Sequence, residues 1–181
     1  PMKKKIIVVT GGNRGMGKEI CRQLGTLGHT VILTARDLAS AETAADEMSG
    51  DVHAYKLDVR NENSAWMLGE KLRKEFGGID ALINNAGITS RAKMKSMDIA
   101  DLESIMNTNF YGPIRVSKAL LPLLKASESP RIVNMSSGMG DINSLYEGEF
   151  ASYRISKTAL NAFTIMLSSE LKDDNIKINS M

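Results

Sequence analysis

The 181-residue sequence predicts an α/β fold, a doubly wound parallel sheet in three layers with helices on both faces. Three observations carry this. Short β-branched apolar runs alternate with helix-period segments along the whole chain. A glycine-rich turn, Gly11-Gly12-Asn13-Arg14-Gly15-Met16-Gly17, closes the first apolar run. Tyr153 and Lys157 stand four residues apart in a helical stretch, and so share one face.

Taken in order, Lys5 to Thr10 reads as a first strand, continuously apolar because both of its faces are to be covered. A helix follows at once, with Ile20, Leu24 and Leu27 at helical spacing and Gly28 to close it. Strand, glycine turn and helix together form the opening of a dinucleotide-binding unit. The glycines let the backbone pass close to a pyrophosphate, and the helix N-terminus offers it unpaired N–H groups. A bare tight turn would use the same glycines, but the strand-to-helix context favours the cofactor.

His29 to Ala35 is the second strand, and Arg36 follows it. An acidic residue here accepts the ribose 2′-hydroxyl of NAD, whereas an arginine accommodates the 2′-phosphate of NADP. Arg36, with Arg14 in the glycine turn, makes a phosphate site and favours NADP(H); Asp37 is the counter-argument, since it could pair Arg36 or meet a hydroxyl.

Leu38 to Met48 is expected to be helical, and Val52 to Leu57 is a third strand ending at Asp58-Val59. A helix over 62–76 turns Trp66, Leu68, Leu72 and Phe76 towards the sheet and stops at Gly77-Gly78. Ile79 to Ile83 runs into Asn84-Asn85-Ala86-Gly87, a polar stop at the carboxyl end of a strand, where open parallel sheets bind ligands. A long helix from Asp101 to Lys125 is expected to kink at Gly112-Pro113, just after Asn109. Arg131 to Met135 is the fifth strand and leads into Ser136-Ser137-Gly138. The loop from Met139 to Ser152, with Tyr146, Glu147, Glu149 and Phe150, is placed to wall a substrate site. The helix bearing Tyr153 and Lys157 runs to about Lys172, and Ile176 to Asn179 begins a sixth strand.

Bulk composition narrows the function. Hydrophobic residues make up 43% and charged residues 24%, as in one ordinary globular domain spanning residues 1–181, and no apolar run is long enough to cross a bilayer. A cytoplasmic protein is the expectation. A formal charge of +2 creates no field for nucleic acid. The single Cys21 reads as a small buried hydrophobe, no metal-ligand cluster is present, and His29 and His53 are given no catalytic part. What remains is the Tyr153 and Lys157 pair. A cation beside a phenol favours the phenolate, which makes Tyr153 a general acid or base; on a solvated helix face the same spacing would mean nothing.

The ordered set Thr10-Gly11-x-x-x-Gly15-x-Gly17, Asp58-Val59, Asn84-Asn85-Ala86-Gly87, Asn109, Ser136-Ser137 and Tyr153-x-x-x-Lys157 resembles the short-chain dehydrogenases/reductases over nearly the whole chain. The resemblance implies a Rossmann-type domain and an oxidoreductase that moves a hydride between NADP(H) and a small or medium carbonyl compound or secondary alcohol. Tyr153 would exchange a proton with the substrate oxygen, and Lys157 would favour the phenolate and hold the nicotinamide ribose. Ser137, rather than Ser136, would orient the carbonyl. Asn109 would bend the long helix and support a water chain. Thr10, Gly11, Asn13, Arg14, Gly15, Met16 and Gly17 would hold the phosphates with Arg36, Asp58 and Val59 would meet the adenine, and Asn85, Ala86 and Gly87 would line the cofactor's middle. It also implies a homo-oligomer, a dimer or tetramer paired through the long helix and the Tyr153 helix.

Members of that family continue past the sixth strand with a Pro-Gly loop, a lid helix and a seventh strand, so the chain is expected to be truncated there. The alternative to an enzyme is therefore a truncated NADP(H)-binding protein with little or no turnover. A sugar-nucleotide epimerase or dehydratase of the related extended type is disfavoured by the glycine spacing and by the lack of a following substrate domain.

Overall fold

Apolar strands that must be buried on both faces can be satisfied only by helices above and below the sheet, and the computed structural model has that arrangement. It describes residues 3–145 and 148–181. The chain runs β1 (Ile6–Val9), α1 (Gly15–Thr26), β2 (Thr30–Ala35), α2 (Leu38–Asp46), β3 (Asp51–Lys56), α3 (Glu62–Phe76) and β4 (Ala81–Asn84). It continues through α4 (Ile99–Asn109), α5 (Tyr111–Leu124), β5 (Arg131–Asn134), α6 (Ala151–Glu170) and β6 (Lys177–Ser180), with short 3-10 turns between. All strand pairs are parallel, in the order β3-β2-β1-β4-β5-β6. The order reverses between β1 and β4, so their carboxyl ends open a crevice.

Alternation along the strands divides the core. Ile7, Val9, Val31 and Leu33 pack with Cys21, Ala41 and Ala44 under α1 and α2. Val8, Ile32, Leu82 and Ile132 face the other way, against Leu68 and Leu72 of α3 and Val116 and Leu120 of α5. α3 lies on α5, and α4 on α6. Cys21 is buried, as the sequence predicts.

Two expectations are corrected. Trp66 points away from the sheet and is 45% exposed. The buried stripe of α3 is Ala65, Leu68, Gly69 and Leu72, one residue out of phase with Trp66. Its small members let α3 approach α5: a Cβ on Gly69 would stand 3.0 Å from the Ala119 carbonyl oxygen. The long helix, second, is two helices, broken at Phe110 rather than at Gly112-Pro113. A proline ring clashes with the carbonyl four residues back, here that of Asn109, and so the break falls a turn earlier. Pro113 itself sits in the first turn of α5, where its missing N–H costs nothing.

A buried polar chain ties the layers together beneath the crevice. Asn84 and Asn134 are register partners on β4 and β5. Asn84 Nδ2 donates to Asn134 Oδ1 at 2.8 Å and to Ser117 Oγ of α5 at 3.2 Å. Asn134 Nδ2 donates to Thr164 Oγ1 of α6 at 2.9 Å. The paired Nδ2 groups fix register as well as contributing energy, while the buried Asn84 Oδ1 has no partner among the described residues.

Candidate active site

The crevice at the carboxyl ends of β1, β2 and β3 is a cleft of about 580 Å³. Gly11, Asn13, Arg14, Gly15, Met16 and Gly17 line it from the first turn, and Arg36, Asp58 and Val59 from the ends of β2 and β3. Asn85, Ala86 and Gly87 line it from the end of β4. Thr10 does not line it. Its hydroxyl lies behind, accepting the Asn85 and Ala86 backbone N–H groups at 3.0 and 2.9 Å. Asn85 Nδ2 returns the tie, donating to the carbonyls of Thr10 and Gly11 at 2.9 and 3.1 Å. The first turn and the end of β4 thus form one rigid rim.

The floor of this rim suits an anion. Gly15 has φ +54°, and a Cβ on Gly17 would fall 2.3 Å from both Gly11 O and Asn85 Nδ2, so only glycine allows this close approach. α1 begins without a side-chain cap, which leaves its first N–H groups for a ligand. Arg14 and Arg36 are exposed on the cleft, and among the described residues neither forms an ion pair. Asp37, the acid that argued against a phosphate, also lines the cleft, but one of its carboxylate oxygens caps α2 by accepting Ser40 N–H at 3.1 Å.

The second cluster gathers at the ends of β5 and α6. Tyr153 and Lys157 share a face of α6, with Lys157 Nζ 5.4 Å from the Tyr153 ring centroid. Lys157 is buried and Nζ donates to the Met135 carbonyl at 2.6 Å, which pins the amine to the end of β5. Burial pushes the Lys157 ammonium down to about 8. Ser137, two residues beyond Met135, accepts Met139 N–H at 3.1 Å and keeps its own proton free to donate. Gly140 packs directly on the Lys157 backbone, and Thr158 and Asn161 hold its carbonyl at 3.1 and 3.2 Å. The serine turn is thereby strapped to the tyrosine helix. Ser136, by contrast, has a buried hydroxyl with no hydrogen-bond partner among the described residues.

Asn109 joins the two clusters. Its Nδ2 donates to Ile88 O at 2.8 Å and to Ser156 Oγ at 3.1 Å, while its Oδ1 accepts Ile88 N–H at 2.9 Å. Ser156 Oγ in turn donates to Tyr153 O at 2.7 Å. The side chain therefore braces the segment after β4 against α6, and Ser156 is a positioning residue that spacing alone did not reveal. The Asn109 main-chain carbonyl is denied the usual helical donor, because the residue four positions on is Pro113.

Of the loop expected to wall the site, Glu149 and Phe150 are described, whereas Tyr146 and Glu147 lie outside the described residues. Phe150 has φ +63°, a conformation that costs a bulky residue about 1–3 kcal/mol unless its surroundings hold it. They do: Ala151 N–H donates to Ala92 O at 3.0 Å, and Arg91 lies over the Phe150 ring at 5.6 Å. Buried Arg154 donates to the carbonyls of Glu149 and Ser144 at 2.9 and 3.2 Å.

A family model for short chain dehydrogenases matches residues 5–181. The chain is 39% identical over 163 residues to (+)-neomenthol dehydrogenase of Arabidopsis thaliana, covering 76% of this chain and 55% of that protein. It is 31% identical over 180 residues to the 3-oxoacyl-(acyl-carrier-protein) reductase FabG of Vibrio cholerae, covering 99% of this chain and 72% of that one. A crystal structure of a short-chain dehydrogenase from Streptomyces avermitilis superposes with a TM-score of 0.90 at 27% identity, covering 99% of this chain and 65% of that chain. The chain spans about half the length of two of the relatives it matches, 55% of the Arabidopsis protein and 54% of short-chain dehydrogenase/reductase 1 of Saponaria officinalis.

The lowered lysine gives a direct check. Only the neutral amine acylates, so in the cofactor-free protein Lys157 is to react with acetic anhydride with a midpoint near pH 8, well before an ordinary lysine at about 10.4. Peptide mass spectrometry across pH reads this, and a Lys157 midpoint level with the surface lysines would contradict the burial described.

Proposed function

The chain belongs to the short-chain dehydrogenase/reductase family, and from that premise we propose that it is an NADP(H)-dependent oxidoreductase acting on a small or medium ketone, aldehyde or secondary alcohol. The observation that carries this reading is the placement of Tyr153 and Lys157 on one face of α6, with Lys157 pinned to Met135 at the end of β5. Members of the family use nicotinamide cofactors, which supply or accept the hydride. The residues present fit such a group, for the glycine rim, the uncapped start of α1 and two arginines without an ion pair among the described residues meet the needs of a pyrophosphate and a further phosphate.

The chain's own residues divide the remaining work. Arg14 and Arg36 hold the 2′-phosphate, and the N-terminus of α1 with Gly15 to Gly17 holds the pyrophosphate. Ser137 donates its free hydroxyl proton to the substrate oxygen and fixes the carbonyl in position. Tyr153 gives a proton to that oxygen in reduction and removes it in oxidation. Lys157, when protonated, sets a positive charge beside the phenol as negative charge develops there. Asn109 offers a carbonyl oxygen without its helical donor, suited to a water that resupplies the proton.

The site also supports assembly as a homo-oligomer. Ile165 and Met166 on α6 are 71% and 72% exposed, on a helix that adjoins α4. A second copy of the chain is the occupant that family resemblance favours, and light scattering is to return at least a dimer mass; a strictly monomeric protein would remove this part of the proposal.

Turnover is tested by Tyr153→Phe. The variant is to lose about 10²–10⁴-fold in kcat on a responsive carbonyl compound, the usual worth of a positioned proton donor, while binding NADPH as wild type does. A protein that only binds the cofactor has no rate to lose, and an unchanged rate would remove Tyr153 from the chemistry.

A further inference from the structure

The far end of the cleft holds a third arginine whose place the family motifs do not explain. Arg60 lines the cleft beside Asp58 and Arg36. On the cofactor reading above, on which this inference rests, the residue closing β2 meets the adenine ribose. The base then lies one strand further out, at the end of β3, where Asp58 stands.

An ionised carboxylate offers about four lone-pair positions and no donor. Arg60 fills three on Asp58. Its backbone N–H and its Nε both donate to Oδ1, at 3.0 and 2.9 Å, and its Nη2 donates to Oδ2 at 2.7 Å. Oδ2 alone keeps an acceptor position. The two-point fork also fixes the plane of the carboxylate, which a single ammonium could not do. The turn beneath is equally fixed: Asp58 N–H donates to Ser64 Oγ at 3.0 Å, Asn61 N–H donates to Asp58 O at 3.0 Å, and Asn61 caps α3. The Arg60 guanidinium beside it holds the Asp58 carboxyl below the usual carboxylate range, so it is an acceptor throughout the neutral range.

We propose that Arg60 is a positioning residue for the purine: its two-point fork fixes the plane of the Asp58 carboxylate and so holds the one open Oδ2 position where it takes a hydrogen from the exocyclic amine of adenine and disfavours a purine with a carbonyl there. A carbonyl would set acceptor against acceptor. Because Arg60 is neutralised by Asp58, it adds little to the 2′-phosphate, which stays with Arg14 and Arg36. Base choice and phosphate choice are thus separable on this chain.

Isothermal titration of NADPH, NADH and the hypoxanthine analogue of NADPH into wild type, Arg60→Leu, Arg60→Lys and Asp58→Ala tests this. Wild type is to prefer adenine over hypoxanthine by roughly tenfold, the usual worth of one such contact. Arg60→Leu and Arg60→Lys are to bring that ratio below about threefold with the NADPH to NADH ratio unchanged, and Asp58→Ala to abolish it so that adding Arg60→Leu changes nothing more. Circular dichroism confirms that each variant is folded. Retention of base preference in Arg60→Leu overturns the proposal, as does an effect confined to NADPH over NADH, which would make Arg60 a phosphate ligand. Wild type that binds the dinucleotides without base preference overturns this inference alone; wild type that binds none overturns the cofactor reading and this inference with it.

Discussion

One buried side chain holds together the two halves of the candidate site. Asn109 spans the gap between the segment after β4, which lines the cofactor cleft, and α6, which carries Tyr153 and Lys157. Both of its side-chain polar atoms are used and the residue is buried, so losing one partner leaves another stranded at a cost of about 1–3 kcal/mol. Its position follows from Pro113, whose ring ends α4 at Asn109 and frees that residue from a helix interior. A sequence feature that reads as a helix defect is therefore what turns a side chain across the molecule.

The same economy recurs around the cleft. Polar groups at or behind the cleft are also used to shape it. Thr10 binds the β4 rim, Asp37 caps α2 and Asp58 grips Arg60. Among the described residues Arg14 and Arg36 form no ion pair, and the start of α1 has no side-chain cap. Tying the two acids that line the cleft to Ser40 and Arg60 leaves less negative charge free to oppose an anion there.

Much of this was legible in the sequence because it is local. The strands are continuous apolar runs, and the glycine spacing and the four-residue step from Tyr153 to Lys157 survive without knowledge of the fold. The failures were tertiary. Trp66 was expected inside on hydrophobicity, yet the α3 face is set by Ala65 and Gly69, whose smallness matters only because α5 crosses there. Ser156 and Arg60 carry no motif of their own; each gains a part from a neighbour, Asn109 in one case and the Asp58 carboxylate in the other. The helix break was expected at the proline itself, whereas the clash acts on the carbonyl one turn before it.

The central claim is the proposal that Arg14 and Arg36, which form no ion pair among the described residues, make this an NADP(H) site. Comparing the dissociation constants of NADPH and NADH for wild type and for Arg36→Ala tests it most directly. The account predicts that wild type binds NADPH at least about tenfold more tightly than NADH, a margin of about 1.4 kcal/mol, and that Arg36→Ala removes most of that margin while leaving NADH binding little changed. Equal affinity for the two cofactors, or tighter binding of NADH, would contradict it.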